Sequence, residues 1–321
     1  MRRELHCAAV ILCPLIACVA FAQPYPTKPV RVIVNFPPGA GVDIATRLVL
    51  AKLTETLGWQ FVADNRAGAA GNIGVELAAH AAPDGYTLLA ATASAAISQS
   101  MYSKVSFDLV RDFVPVALIV SAPFILAVHP AVPANSLREL IALAKSRPGQ
   151  LSYATPGTGS SPHLAGELLK LEAGINLLHV PYKGTVPAVT DVIAGNVSMA
   201  LANTLVVLPQ MKAGRLRAIA ITSATRSATA PELPTVAESG VSGFESGTWY
   251  GLLAPAGTPR DIVGRLNAAV VRVVQLADVR EKLNAQGAEP LSGTPGQVAE
   301  FVRSEVAKYG RVVKAAGIRL E

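Results

Sequence analysis

An α/β fold in two lobes, joined by two crossover strands, follows from three features of this sequence. Strand-like and helix-like segments alternate along its 321 residues, as in layered α/β proteins. The phrase Pro-Gly-x-Gly occurs twice, each time between a strand and a helix: Pro38-Gly39-Ala40-Gly41 and Pro156-Gly157-Thr158-Gly159. Two apolar stretches, Pro115 to His129 and Trp249 to Ala254, interrupt the rhythm, being extended, edged by proline and without a helical period. Read as paired crossovers, they divide the chain into a discontinuous first lobe, residues 23–122 plus 248–321, and a second lobe, residues 123–247.

Residues 1–22 read as an export signal outside the fold. Arg2 and Arg3 give a basic start, Cys7 to Ala20 is almost wholly apolar, and Ala20-Phe21-Ala22 offers small residues where a signal peptidase cuts. Leu15-Ile16-Ala17-Cys18 also resembles a lipoprotein-processing box, which would leave a lipidated Cys18. The Ala-x-Ala cut is favoured because it leaves a full hydrophobic stretch. All three cysteines lie in this segment (Cys7, Cys13 and Cys18), so the exported chain is expected to have no disulfide and to rest on its core. Loss of Arg2, Arg3 and Glu4 lowers the formal charge by one, from +6 to +5. No run of Lys or Arg accompanies that charge, which argues against nucleic acid as a partner. Beyond residue 22 no apolar stretch is long enough to cross a bilayer, so a soluble exported protein, acting as a monomer, is expected.

Val30 to Val34 is the first strand. Asp43 is expected to cap a helix that carries Ile44, Leu48, Ala51 and Leu57 on one face and ends at Gly58. A strand near Gln60 to Ala63 leads through the glycine-rich stretch Asp64 to Gly74 into a helix running to Ala82. The turn Pro83-Asp84-Gly85 stops it, before the strand Tyr86 to Ala90. In the second lobe, Ser136-Leu137-Arg138-Glu139 is a capping box for a helix ending at Pro148-Gly149. Ser161 as the cap, with Pro162 at the first helical position, starts the next helix, which Gly174 closes. The alternation continues through Thr185 to Ala194, Val197 to Leu201, Leu205 to Ala213 and Leu216 to Thr222. Thr235-Val236-Ala237-Glu238 is a second capping box, and Thr258-Pro259 and Thr294-Pro295 begin the last two substantial helices.

No enzyme signature accompanies these elements. G-x-S-x-G, P-loop and H-E-x-x-H are absent, and G-x-G-x-x-G fails at its third glycine, where Ile44 and Pro162 stand. His80, His129, His163 and His179 are read as sharing no helix face with another ligand at metal spacing, so no metal or cofactor is expected. Ser160 or Ser161 beside His163 comes nearest to a nucleophile with its base. Neighbours at a helix start point apart, and no third group completes a triad. No catalytic residue is therefore assigned, and a secreted enzyme using that pair stands as the alternative.

The glycine loops carry a different chemistry. Glycine lets backbone N–H groups turn toward a guest, and a helix N-terminus adds partial positive charge. Such an end holds an anion without a basic side chain, although tight strand-to-helix turns explain either loop alone. Two copies at matching points of two lobes favour one small anionic ligand gripped from both sides. Asp43 would repel an anion, so it reads as a capping residue or as an acceptor for a ligand amine. His179 to Ala188 is a third strand–loop–helix passage, with Tyr182 and Lys183 able to reach a cleft and Asp191 one turn into its helix. Trp249 reads either as a stacking surface or as core.

These motifs, in this order, resemble the periplasmic substrate-binding proteins of tripartite tricarboxylate transporters, the Bug family. The resemblance rests on Tyr25-Pro26-Thr27-Lys28-Pro29-Val30-Arg31, Phe36 to Asp43, Asn65-Arg66-Ala67-Gly68 through Gly74, and Pro83-Asp84-Gly85-Tyr86-Thr87-Leu88-Leu89. The segment His179 to Ala188, Pro234-Thr235-Val236-Ala237-Glu238 and Trp249-Tyr250-Gly251-Leu252-Leu253-Ala254-Pro255 complete it. It implies a two-lobed Venus-flytrap of the type II periplasmic binding protein class that captures a small carboxylate between its lobes, for a membrane permease or for sensing. Carried over by position, the implied contacts are Phe36, Pro38, Gly41 and Asp43 in the first loop. Thr155, Gly157, Gly159, Ser160 and His163 follow in the second, and Tyr182, Lys183, Thr185 and Asp191 in the third. Ala40 and Val42 depart from the family pattern, which has a glycine and a hydroxyl residue there. Unusual specificity is expected on that side.

Overall fold

The computed structural model describes residues 25–315, 317 and 318. The export signal read over residues 1–22, with its three cysteines, lies outside the described residues. Two sheets share one long strand. In the first, parallel strands β1 (Val30–Val34), β2 (Phe61–Asn65) and β3 (Thr87–Thr92) run in the order β2-β1-β3. The long strand β4 (Phe113–Val128) enters this sheet beside β9 (Gly247–Pro255), which pairs antiparallel with both β3 and β4. The second sheet takes the far end of β4 together with β5 (Ser152–Thr155), β6 (Leu178–Pro181), β7 (Met199–Asn203) and β8 (Arg217–Ile221). The short β10 (Glu289–Pro290) edges β4 in the first sheet.

The handover within β4 has a local cause. Phe113 to Pro123 pairs with β9, whereas Phe124 to Val128 pairs with β7 and β8. Pro123 has no N–H to donate, so the ladder is interrupted where the strand changes sheet. The chain returns at Ser246-Gly247. There the Ser246 N–H still donates to the Thr222 carbonyl of the second sheet (2.9 Å), while Gly247 already faces Pro123. Thr222 ties the two passages together, its hydroxyl donating to the Ser246 carbonyl at 2.7 Å and accepting the Phe124 N–H at 2.8 Å.

Helices cover both faces of each sheet, and strand alternation sorts the side chains between them. Val30, Val32 and Val34 of β1 and Leu88 and Ala90 of β3 face α1 (Gly41–Leu57) and α8 (Arg260–Val274). Ile33, Leu89 and Ala91 point the other way, toward α3 (Ala93–Met101) and α10 (Pro295–Ala315). In the second sheet Phe124, Leu126 and Val128 pack with α4 (Leu137–Ser146) and α5 (Ser161–Ala173). Ile125 and Ala127 pack with α6 (Thr185–Ile193) and α7 (Thr204–Lys212). The small α2 (Asn72–Ala79) and α9 (Ala277–Ala285) complete the layers.

Several boundaries differ from the sequence reading. Helix α2 stops at Ala79 rather than Ala82. Helices α3 and α9 had no sequence signal strong enough to announce them. Thr235 and Glu238 do exchange both capping-box bonds (2.9 and 3.0 Å), yet these close only a turn. Asp43 is not the cap of α1: the helix starts earlier, with Ala40 in the extended cap conformation, and places Asp43 in its first turn. At α5 the cap is Ser160, whose oxygen accepts the His163 N–H, so Ser161 becomes the first helical residue and Pro162 the second.

Candidate functional site

Five helices aim their N-termini at one place between the two sheets. Their cap residues are Ala40 (α1), Thr92 (α3), Ser160 (α5), Gly184 (α6) and Asn203 (α7). Ala40, Gly41, Val42, Thr92, Ser94, Ser161, Pro162, Thr185 and Asn203 line a small inner cavity there, of about 30 Å³. Phe36, Pro156 and the crossover-strand residues Phe124, Thr248 and Tyr250 close it. No Asp, Glu, Lys, Arg or His contributes to this lining. Each helix end presents N–H groups without intrahelical partners and roughly half a positive charge, so the cavity is electropositive through backbone alone.

The polar side chains in the cavity are short of partners. Thr92, 3% exposed, has an unpartnered hydroxyl, and Asn203, 7% exposed, has an unpartnered amide oxygen. The Asn203 amide donates to the Tyr250 hydroxyl at 3.1 Å. Burial pushes the Tyr250 pKa up, which keeps that hydroxyl neutral and able to donate. Ser94 and Ser161 hydroxyls pair at 3.0 Å, and Ser94 also accepts the Ser161 N–H at 3.0 Å. Buried polar groups normally find partners, so two orphans in one cavity mark a place for a polar guest.

Phe36 and Pro156 also line a larger outer pocket of about 570 Å³. Its walls are Ala67 to Gly71, Tyr102, Gly157, Thr158, Tyr182, Lys183 and Gly184, and Lys183 is the one charged side chain among them. The 67–71 wall is strained: Ala69 and Ala70 adopt φ of 47° and 55° between left-handed Gly68 and Gly71. Non-glycine residues at positive φ concentrate at functional sites.

The structure gathers the sequence-derived candidates unevenly. Phe36, Gly41 and Thr185 line the inner cavity, and Phe36, Gly157, Tyr182 and Lys183 the outer pocket. Pro38 is exposed and lines neither. The remaining candidates hold the loops in place. Asp43 accepts from the Gly39 N–H (2.9 Å), Arg47 Nε (2.8 Å) and Asn65 Nδ2 (2.9 Å). Asp191 accepts the Tyr182 hydroxyl at 2.6 Å; burial first, and then this bond, pushes the Tyr182 pKa up to about 12. Gly159, at φ 85°, lies where a Cβ would come within 2.8 Å of the Tyr102 ring.

Thr155, Ser160 and His163 fix the second loop from behind. His163 Nδ1 accepts the Gly159 N–H at 3.2 Å, and Thr155 Oγ1 meets His179 Nε2 at 2.7 Å. The two imidazoles stack at 4.2 Å. Burial lowers both pKa values, that of His179 to about 4 with help from His163. His163 does share a helix face with a carboxylate one turn on, contrary to the sequence reading: Glu167 Oε1 lies 4.0 Å from Nε2. Tyr153 and Lys170 occupy that carboxylate, at 2.6 and 2.9 Å. Among the described residues no three His, Cys, Asp or Glu side chains come together as a metal site, and no helix is long and apolar enough to cross a membrane.

The serine–histidine alternative lacks its geometry. Ser160 Oγ donates to the Gly157 carbonyl at 2.6 Å, and Ser161 Oγ pairs with Ser94, so neither is hydrogen-bonded to the His163 ring. The two serines exchange the roles read from sequence, since Ser161 faces the cavity and Ser160 caps. Sequence reasoning missed Thr92, Ser94, Asn203, Thr248 and Tyr250 as cavity residues. A faint signal existed: Thr92 and Ser94 are isolated hydroxyls in an alanine run, and Thr248 and Tyr250 flank Trp249, whose ring points into the core against Phe301.

A two-lobed α/β fold with a helix-end cavity between its lobes defines a solute-binding protein rather than a solvent-exposed scaffold. Residues 44–318 match the family described as tripartite tricarboxylate transporter family receptor, and the chain belongs to that family. It is 38% identical to Protein BugT of Bordetella pertussis over 95% of this chain and 94% of that protein. It is similar to the structure of Rpa4515 of R. palustris with adipate, with a TM-score of 0.89, 37% identity, and coverage of 92% of this chain and 99% of that one. MatC from Rhodopseudomonas palustris with bound malate superposes with a TM-score of 0.85 at 32% identity, covering 90% of this chain and 100% of that one.

Proposed function

We propose that this protein is a periplasmic receptor that closes its two lobes on a small carboxylate and hands it to a membrane permease of the tripartite tricarboxylate type. The observation that carries the reading is the inner cavity: five helix N-termini, the unpartnered Thr92 and Asn203 groups, and no charged side chain. A carboxylate accepts several N–H and O–H bonds at once, so it satisfies the helix-end N–H groups and the Thr92 hydroxyl, while the Asn203 oxygen takes a bond from a ligand hydroxyl or a water. The adipate and malate bound to the two relatives belong to the same chemical class. The lobes divide as residues 23–122 plus 248–321 and 123–247, with Pro123-Phe124 and Ser246-Gly247 as the hinge, and ligand favours closure by touching both. Export follows from the signal at residues 1–22, with cleavage after Ala22.

A thermal-shift screen of carboxylates tests the reading, followed by product analysis. At a hundredfold excess over Kd a ligand adds about 2.7 kcal/mol of stability. Stabilisation with the ligand recovered unchanged is expected. Conversion of the ligand, or a screen in which no carboxylate raises the melting temperature, would overturn it.

A further inference from the structure

We infer that His163 is a positioning residue of the binding site, and that it holds the second loop in its binding shape only while its imidazole is neutral. The inference rests on the carboxylate reading above and couples it to a proton. His163 lines neither cavity, so it acts on the ligand through the backbone that does. Pro156, Gly157 and Thr158 wall the outer pocket, and Pro156, Ser161 and Pro162 the inner cavity. Gly159 lies between these two sets, at φ 85° against the Tyr102 ring.

The Gly159 N–H can only donate, so the ring nitrogen facing it at 3.2 Å, His163 Nδ1, carries the lone pair. The proton of the neutral ring is then on Nε2, the atom 4.0 Å from Glu167 Oε1. A second proton can enter only at Nδ1. There it would face the Gly159 N–H donor to donor, and the loop must move to part them. His179 holds the other glycine of the motif. Its Nε2 meets Thr155 Oγ1 at 2.7 Å, and that oxygen accepts the Gly157 N–H at 3.3 Å. A hydroxyl both donates and accepts, so this link survives a proton on His179, and His163 is the sensitive member of the pair.

The surroundings favour the neutral ring. His163 is 6% exposed and sits in the first turn of α5, where the positive helix end opposes an imidazolium. From β6, a charged His179 would oppose it across the 4.2 Å stack. Glu167 favours the cation, but Tyr153 of β5 and Lys170 of α5 hold its carboxylate, and Lys170 adds repulsion of its own. Tyr102, beyond the end of α3, flanks Gly159, and burial keeps its hydroxyl uncharged. Burial is the largest influence on His163 and holds its pKa below the ordinary 6.5. Acidification through that lowered value is expected to free the loop and release the ligand.

The test measures, by calorimetric titration, the affinity for the carboxylate that gives the largest thermal shift, from about pH 7.5 to about pH 4.5, across the range where a lowered histidine titrates. It compares the exported full-length chain with its His163→Asn variant, near-UV circular dichroism confirming the fold of each. The asparagine oxygen offers an acceptor in place of Nδ1 and does not titrate. Dividing the two dissociation constants at each pH cancels the ligand's own ionisation. The quotient, wild type over variant, is expected to rise at least about threefold toward the acid end, with a limit of about tenfold per pH unit. A flat quotient would overturn the inference and leave the carboxylate reading standing. The wild type alone supplies a second measurement, because linkage is reciprocal: ligand should lower the His163 pKa read by NMR by at least about half a unit. Equal values with and without ligand would overturn the inference too. If no carboxylate binds at any pH, the carboxylate reading falls and this inference with it.

Discussion

Gly41→Ala separates binding from folding with a single methyl group. Gly41 is the first residue of α1, and a Cβ there would stand 2.6 Å from the Tyr250 hydroxyl and 2.7 Å from Asn203 Nδ2. Both distances are well inside van der Waals contact, and Tyr250 is 2% exposed, so its ring has nowhere to go. Gly41 opens a helix packed on the first sheet and Asn203 ends a strand of the second, and the Asn203–Tyr250 bond of 3.1 Å closes the cavity behind them. The clash is therefore relieved most easily by holding the lobes slightly apart. Overpacking by a methyl costs about 1–3 kcal/mol, which weakens binding by roughly fivefold to a hundredfold if closure bears it. Helix propensity favours alanine over glycine, so the unliganded protein should melt within about 1 °C of wild type or above it. Calorimetric titration with the carboxylate that gives the largest thermal shift, beside a melt without ligand, reads both quantities. Gly264→Ala in α8, where a Cβ meets nothing within 4 Å, is the control and should leave binding unchanged. Wild-type affinity in Gly41→Ala would refute the assignment of this cavity to the ligand.

Three further outcomes follow from named contacts. Ala70→Gly relieves a left-handed alanine at φ 55°, ψ 26° and should stabilise by about 0.5–1 kcal/mol, the strain released less the glycine's added freedom when unfolded; a urea titration reads it, and destabilisation would contradict the strain argument. His163→Leu orphans the buried Gly159 N–H and should cost about 1–3 kcal/mol in the same assay. His179 is neutral in the fold with a pKa of about 4, below its ordinary 6.5, so the unfolded chain takes up the proton first as pH falls. Its contribution is fully present above pH 6.5 and is lost between there and about pH 4, by up to roughly 3 kcal/mol at about 1.4 kcal/mol per pH unit. Melting temperatures of wild type and His179→Gln over that range should converge as the pH falls; parallel curves would exclude His179 as the group responsible.

Local pattern and punctuation made most of the architecture readable. Valines at 30, 32 and 34 bury one face of a strand, Gly58 ends α1 in the left-handed conformation, and Gly174 does the same for α5. Helix α3 was illegible because β3 runs into it at Thr92-Ala93 without a loop, so no glycine, proline or turn marks the boundary. The same lack of punctuation hid Thr92 and Ser94. Ser160 and Ser161 were exchanged because a one-residue shift in the helix start rotates every later side chain by about 100°. The His163–His179 stack joins residues on different elements, an α-helix and a strand, and no local pattern encodes such a contact.

The inner cavity belongs to neither lobe alone. Gly41, Thr92 and Ser94 come from elements of the first sheet, Ser161, Thr185 and Asn203 from those of the second, and the long strands β4 and β9 supply Phe124, Thr248 and Tyr250. Bonds that hold these parts together across the cleft are neutral: the Ser94 hydroxyl with both the hydroxyl and the N–H of Ser161, Asn203 with Tyr250, Tyr102 with the Thr158 carbonyl at 3.1 Å, and Thr204 with the Gly287 carbonyl at 2.9 Å. None of the ion pairs among the described residues bridges the lobes. Neutral bonds are each worth about 0.5–1.5 kcal/mol net, because water replaces them when the lobes part. These bonds favour closure, whereas trapping the unpartnered Thr92 and Asn203 groups and the helix ends in a dry cavity opposes it. The balance is then set by what occupies that cavity. Under the proposed reading, an anion that satisfies the helix ends lowers the cost of closure without altering the bonds that favour it, and an inner cavity with no charged side chain can then close on charge.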